Sequence, residues 1–134
     1  MRLIDNSTLE TLFSEANKSE RLRSHYLLHH SHNDKVQRLL IALVKGSYVE
    51  PHCHELSTQW EMFLVIEGQI KVTLYNESGT IQRVFLAGTE TNTSIVEFSP
   101  HEIHSVECLS TRALMLEVKE GPFDPAFAKK FPQW

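Results

Sequence analysis

From residue 24 to residue 119 the chain is a succession of short apolar or alternating runs, separated by turn residues, with no helical stretch between them. This rhythm constrains the fold more than any other feature of the sequence. Alternation with a period of two marks strands that are half buried. The spacing predicts strands over 24–28, 36–44, 47–54, 59–67, 69–75, 80–86, 94–98, 104–109 and 112–119. Glu67-Gly68 and Asn76-Glu77-Ser78-Gly79 read as hairpin turns. Many short strands without strand–helix alternation predict a mainly all-β sandwich or barrel. The longest apolar run, Leu39 to Val44, is far too short to span a bilayer as a helix.

The two ends read differently. Ser7 and Glu10 have the spacing of a capping box, and Leu9, Leu12, Phe13 and Ala16 follow on one helical face. The pattern stops at Asn17-Lys18-Ser19, which gives an N-terminal helix within residues 1–20, packed across the outside of the barrel. Residues 24–119 form the barrel and 120–134 a tail, in a single domain over 1–134. A last helical turn starts at Asp124, with Pro125 in the first helical position. At 41% hydrophobic and 22% charged residues, the chain reads as globular. A net charge of -4 argues against nucleic acid, whose phosphates need a concentrated basic surface. Asp5 and Glu10 interrupt any apolar signal sequence. The expected compartment is the cytoplasm, with Cys53 and Cys108 reduced and no membrane partner.

Histidine carries the chemistry. His52 and His54 stand two apart in a strand-like stretch, so both imidazoles point to one face and Cys53 to the other. Gln59, Glu61 and Phe63 share a face of the next strand, and His104 opens a later one with Val106 and Cys108. An isolated His-x-His is usually structural. Joined by a carboxylate and a further histidine, it becomes a mixed nitrogen and oxygen set. Such a set suits a divalent transition metal (Zn, Fe, Ni or Mn) better than Ca or Mg. Cys108 reads as a small buried hydrophobe. The His29-His30-Ser31-His32 cluster reads as a solvated loop.

Alternation also places Arg21, Arg23 and His25 on one face, ahead of Arg38. These groups can bind a carboxylate or phosphate, or pair with Glu20 and Asp34. Glu50, Glu117 and Lys119 are further candidates for polar groups in a pocket. Trp60, opposite in parity to Glu61, belongs outside the barrel.

The segment Gly46-Ser-Tyr-Val-Glu-Pro-His52-Cys-His54, followed by Glu61 and Gly68, resembles the first cupin motif. The segment Ser99-Pro100-His101-Glu102-Ile103-His104 resembles the second. The resemblance implies a double-stranded β-helix, or jelly-roll barrel, and carries metal-ligand roles onto His52, His54, Glu61 and His104. The chain departs from the motifs in several places. Six residues separate His54 from Glu61, where the motif has three or four. Counting forward from His54 lands on Gln59, as an alternative ligand or a neighbour of the ligands. Counting back from Gly68 selects Glu61, and a carboxylate binds a cation better than an amide. Ser99 replaces Pro, Cys108 replaces Asn, and His101 replaces Gly in a position that calls for a left-handed turn. The runs Arg21-Leu-Arg-Ser-His25, Asp34-Lys-Val-Gln-Arg38, Gly46 to His52 and Gly121-Pro-Phe-Asp-Pro125 resemble the WbuC family of cupin-fold metalloproteins, typically encoded in bacterial O-antigen gene clusters.

The resemblance implies a link to surface-polysaccharide or nucleotide-sugar metabolism, and a small-molecule ligand such as a sugar derivative. It names no reaction. A metalloenzyme such as an isomerase or epimerase, an Fe(II) dioxygenase, and a non-catalytic binding or sensing protein all fit the ligand set. A barrel that has lost its metal fits least well. Barrel edges often pair between subunits, so a homodimer is compatible with the pattern.

Overall fold

A computed structural model describes residues 1–134. It contains a helix, α1 (Asn6–Lys18), and nine strands. In chain order these are β1 (Arg23–Leu27), β2 (Val36–Val44), β3 (Tyr48–His52), β4 (Glu61–Glu67), β5 (Gln69–Tyr75), β6 (Ile81–Gly88), β7 (Ile95–Phe98), β8 (Ile103–Cys108) and β9 (Arg112–Glu120). They form two antiparallel sheets, ordered β1-β2-β9-β4-β7 and β3-β8-β5-β6. Side chains from both sheets meet in one core, among them Leu43, Phe63, Ile70, Val72, Phe98, Val106 and Met115.

The run Leu39–Val44 is apolar throughout because β2 is buried on both faces. Leu39, Ile41 and Leu43 point into the barrel core. Leu40, Ala42 and Val44 point outward, where Leu12, Phe13 and Ala16 of α1 cover them. The helix therefore packs across the outside of the first sheet, as the amphipathic pattern requires.

Its start differs from the capping-box reading. The cap is Asp5, whose Oδ1 accepts from Thr8 N at 2.9 Å and Thr8 Oγ1 at 3.0 Å. A carboxylate at that position satisfies the free N–H groups of the first turn, so the helix begins before Ser7. Glu10 instead accepts from Arg112 Nη1 at 3.0 Å and ties α1 to β9.

Two strand ends near the histidines also differ. β3 stops at His52, and its register against β8 shifts between Val49 and His52. This bulge puts one extra residue into β3 and turns the chain out of the sheet. β4 starts at Glu61, because Gln59 N bonds back to Leu56 O at 3.0 Å in a turn. Beyond β9, Gly121–Trp134 folds back over the open end of the barrel through a single 3-10 turn, Pro125–Phe127, capped by Asp124. No helix is long and apolar enough to cross a membrane.

Candidate metal centre

The histidines converge at the end of the barrel where β3, β4 and β8 meet. The ligand atoms of His52, His54 and Glu61 all lie within 4.8 Å of one another, and all three residues are buried. His52 lies opposite His104 in the β3–β8 register, with ring centroids 4.5 Å apart. His104 Nε2 stands 3.8 Å from Glu61 Oε2. Glu61 opens β4 and points inward with Phe63 and Val65. His54 lies beyond the bulge, so strand alternation is not what aims it. Cys53 pairs with Lys130 of the returning tail through two backbone hydrogen bonds, and His54 Nδ1 meets Ala128 O at 2.9 Å. The tail therefore orients this histidine.

One pattern recurs at each ring. His52 Nδ1 meets Glu50 O at 2.9 Å, and His104 Nδ1 meets Glu102 O at 3.0 Å, as His54 Nδ1 meets Ala128 O. A carbonyl only accepts, so each Nδ1 carries a proton, and the neutral rings of His52 and His104 keep their lone pair on Nε2. Backbone partners of this kind fix metal-binding histidines. His104 Nε2 is fully buried without any hydrogen-bond partner. Phe98 locks that ring in place, stacked 3.7 Å away at an interplanar angle of 7°. His54 Nε2 makes a close contact with Glu61 Oε2. Burial, then neighbouring His104, pushes the His52 pKa down to about 3, and burial likewise lowers that of His104. Both are thus neutral bases, the form a metal needs. An orphaned acceptor, oriented lone pairs and one carboxylate fit a divalent transition ion.

The carboxylate is Glu61. Burial alone would raise its pKa, but hydrogen bonding with Glu117 and His54 and the nearby imidazoles outweigh this and hold it well below the usual range. Glu117, on β9, is driven well above that range by burial and then by the Glu61 charge. Of the pair, Glu117 therefore holds the proton. Gln59 is also buried, and its Oε1 has no partner.

A cavity of about 490 Å³ opens beside the cluster. Leu39, Ile41, Phe63 and Met115 are among its apolar lining, and its basic lining comprises the exposed Arg21, His25 and Lys129 with the half-buried Arg23 and Lys119. Arg23 and His25 are therefore in the cavity wall. Arg38 is not, because alternation turns it to the opposite face, where Nη2 reaches Leu28 O at 3.4 Å. Glu50 sits in an adjoining recess with Tyr48. The 29–32 segment is irregular but not wholly solvated. His29 is 8% exposed and lines the cavity, as does His32 beside Phe123. Cys108 packs in the core, as expected of a small hydrophobe. Lys129 and Phe131 carried no sequence signal. They reach the cavity only because the tail returns.

Two antiparallel sheets enclosing such a cluster at one end define a cupin fold. The chain belongs to the family described as a domain of unknown function (DUF6016), which matches residues 4–87. No curated protein matches the chain. Among solved structures it is similar to the capsular polysaccharide assembling protein CapF from Staphylococcus aureus, with 18% identity and a TM-score of 0.66, over 87% of this chain and 33% of CapF. It is also similar to a cupin superfamily protein from Desulfitobacterium hafniense, with 17% identity and a TM-score of 0.56, over 73% of this chain and 76% of that one. KdgF from a Halomonas species matches with 15% identity and a TM-score of 0.56, over 78% and 82%.

Proposed function

We propose that this protein is a metallocupin. One divalent transition ion would be held by Nε2 of His52, His54 and His104 and by the Glu61 carboxylate, with a small molecule bound in the adjoining cavity. The observation that carries the reading is the set of three imidazoles, each tied through Nδ1 to a backbone carbonyl, with His104 Nε2 left buried and unpaired. When bound, such an ion supplies Lewis acidity toward an oxygen of the small molecule. The protein's own part is to hold the ligand geometry rigid through Phe98 and the tail, to keep a proton on Glu117, and to exclude bulk water with apolar walls. Gln59 stays in the proposal as a neighbour of the ligands or a substitute for Glu61.

We place the small molecule among sugar derivatives and the protein in the WbuC family, in cytoplasmic surface-polysaccharide metabolism. The four sequence runs quoted above support this placement, as do the two unpaired cysteines. An isomerase or epimerase suits that context. The subset His52, His54 and Glu61 has the two-histidine, one-carboxylate composition of Fe(II) oxygenases, which favours a dioxygenase as the second reading.

Plasma mass spectrometry on the purified, untagged protein tests the proposal. Near-stoichiometric transition metal is expected. Iron would direct assays to oxygen uptake, and zinc or nickel to isomerase and binding screens. No bound metal, even after refilling under anaerobic conditions, would overturn the reading.

The tail has a measurable share in this site. A chain ending at Glu120 loses the Ala128 carbonyl that fixes His54 and the pairing of Cys53 with Lys130. Loss of such an orienting neighbour is expected to weaken zinc binding about 10–100-fold in a chelator competition. The single change Lys130→Pro, which removes one of the two ladder bonds, should fall between the truncated and full chains. Equal affinity in all three would remove the tail from the site.

A further inference from the structure

We infer that the cavity takes a small molecule bearing an oxyanion, either a phosphate or a carboxylate. Arg21, Arg23 and Lys129 hold that group at the mouth while the rest of the molecule lies toward Glu61. The inference deepens the metallocupin reading, on which it relies only for what the far end of the molecule meets.

The argument begins with charge. The cavity wall carries the cations Arg21, Arg23, Lys119 and Lys129 against one ionised carboxylate, Glu61, because Glu117 holds its proton. Lys119 Nζ stands 3.4 Å from Glu117 Oε2, a contact that engages the lysine without offsetting its charge. No ion pair in the protein includes Arg21, Arg23 or Lys129. Arg23 Nη1 reaches only carbonyl oxygens, Arg21 O at 3.4 Å and Tyr48 O at 3.3 Å. Three cations thus converge on one opening with no carboxylate partner in contact.

Their placement is built by the fold. Arg23 shares the inward face of β1 with His25, and the register sets these residues opposite Leu43 and Ile41 of β2. The returning tail brings Lys129 across from the other side. Desolvation, then Arg21, lowers the pKa of Arg23 against the pull of Glu50 in the adjoining recess. Desolvation also lowers that of Lys129, where Glu61 and Glu117 oppose the push of Arg23 and Lys119. His25, at the same mouth, is pushed down to about 4 by desolvation among its neighbours and then by Arg21, Arg23 and Lys129. Like charges held together around a cavity are relieved by an anion, and a guanidinium fork matches the geometry of phosphate and carboxylate oxygens. A cavity of about 490 Å³ admits a small molecule and excludes a folded macromolecule. Phe123 and Leu39 offer apolar walls to its carbon skeleton.

Isothermal titration calorimetry with glucose 6-phosphate, glucuronate and glucose tests the inference on chelator-stripped and on zinc-supplemented protein. At least one anionic probe should bind, glucose should not, and the better anion identifies the group. Arg23→Gln and Lys129→Gln should each weaken that binding about tenfold or more, as loss of a charged hydrogen bond does. Arg38→Gln, on the opposite face, should leave it unchanged. Added salt should weaken binding in the parent protein. Thermal unfolding of each variant checks that it is folded. Anion binding that persists without metal would uphold the subsite even if the metal reading failed. Glucose binding as tightly as the anions, binding indifferent to both variants, or no binding of either anion would overturn the inference.

Discussion

Glu61→Ala is expected to weaken zinc binding at least about 100-fold, the largest loss from any single side chain of the site. A neighbour that merely orients a ligand costs 10–100-fold, and Glu61 would be a ligand itself. It is also the group in the cluster that carries negative charge, because burial keeps His52 and His104 neutral and Glu117 holds its proton. Without it a divalent ion would sit buried among neutral donors, with its charge uncompensated. Competition against a chromophoric chelator measures the affinity directly. Gln59→Ala in parallel separates the two candidates that motif counting left open. Loss in Glu61→Ala with little change in Gln59→Ala assigns the ligand to the carboxylate. The reverse pattern assigns it to the amide. Undiminished affinity in both would remove β4 from the centre.

The sequence showed the strands more readily than their ends. Nine apolar or alternating runs became nine strands, most of them because one face is buried and burial imposes a period the sequence cannot hide. β1, by contrast, has no buried residue and is held by its pairing with β2. Ends depend on single hydrogen bonds. Ser7 and Glu10 have the right spacing for a cap, yet Asp5 takes the position because its carboxylate reaches Thr8 N first. His54 shows how a right placement can come by a wrong route. Alternation put it beside His52, whereas the structure ends β3 at a bulge and aims His54 from the tail. The positive φ of His101 was legible, because it stands where the motif has glycine. Glu117 was half legible, named with Glu50 and Lys119 as a polar group for a pocket but not as the partner of Glu61. Lys129 and Phe131 were not legible at all. They belong to no periodic segment, and only the return of the tail across the barrel brings them to the cavity.

Gly68→Ala is expected to cost more than about 3 kcal/mol of folding stability, a large share of the 5–15 kcal/mol typical of a domain. Gly68 joins β4 to β5 at φ +74°, a left-handed conformation that itself costs a residue with Cβ about 1–2 kcal/mol. The larger part is steric. A Cβ there would stand 2.1 Å from the carbonyl oxygen of Arg112 and 2.9 Å from Ala113 Cα. Both are backbone atoms at the start of β9, which is hydrogen-bonded to β2 on one side and β4 on the other. They cannot move without disturbing the strands that carry Glu61 and Glu117. Gly79→Ala is the control. Its φ is also positive, at +85°, but the atoms a Cβ would meet belong to the side chain of Trp134, held by one hydrogen bond from Nε1 to Glu77 O and by Tyr75 rather than by strand backbone. That variant should lose the backbone share of roughly 1–2 kcal/mol and at most about 1 kcal/mol more for that hydrogen bond. Urea unfolding of the metal-free proteins gives both values. Equal losses at the two positions would mean that conformation alone makes Gly68 necessary. A much greater loss at Gly68 would show that the close approach of β9 fixes the glycine that ends the first motif. The same contact would then hold β4, and with it Glu61, in register against β9.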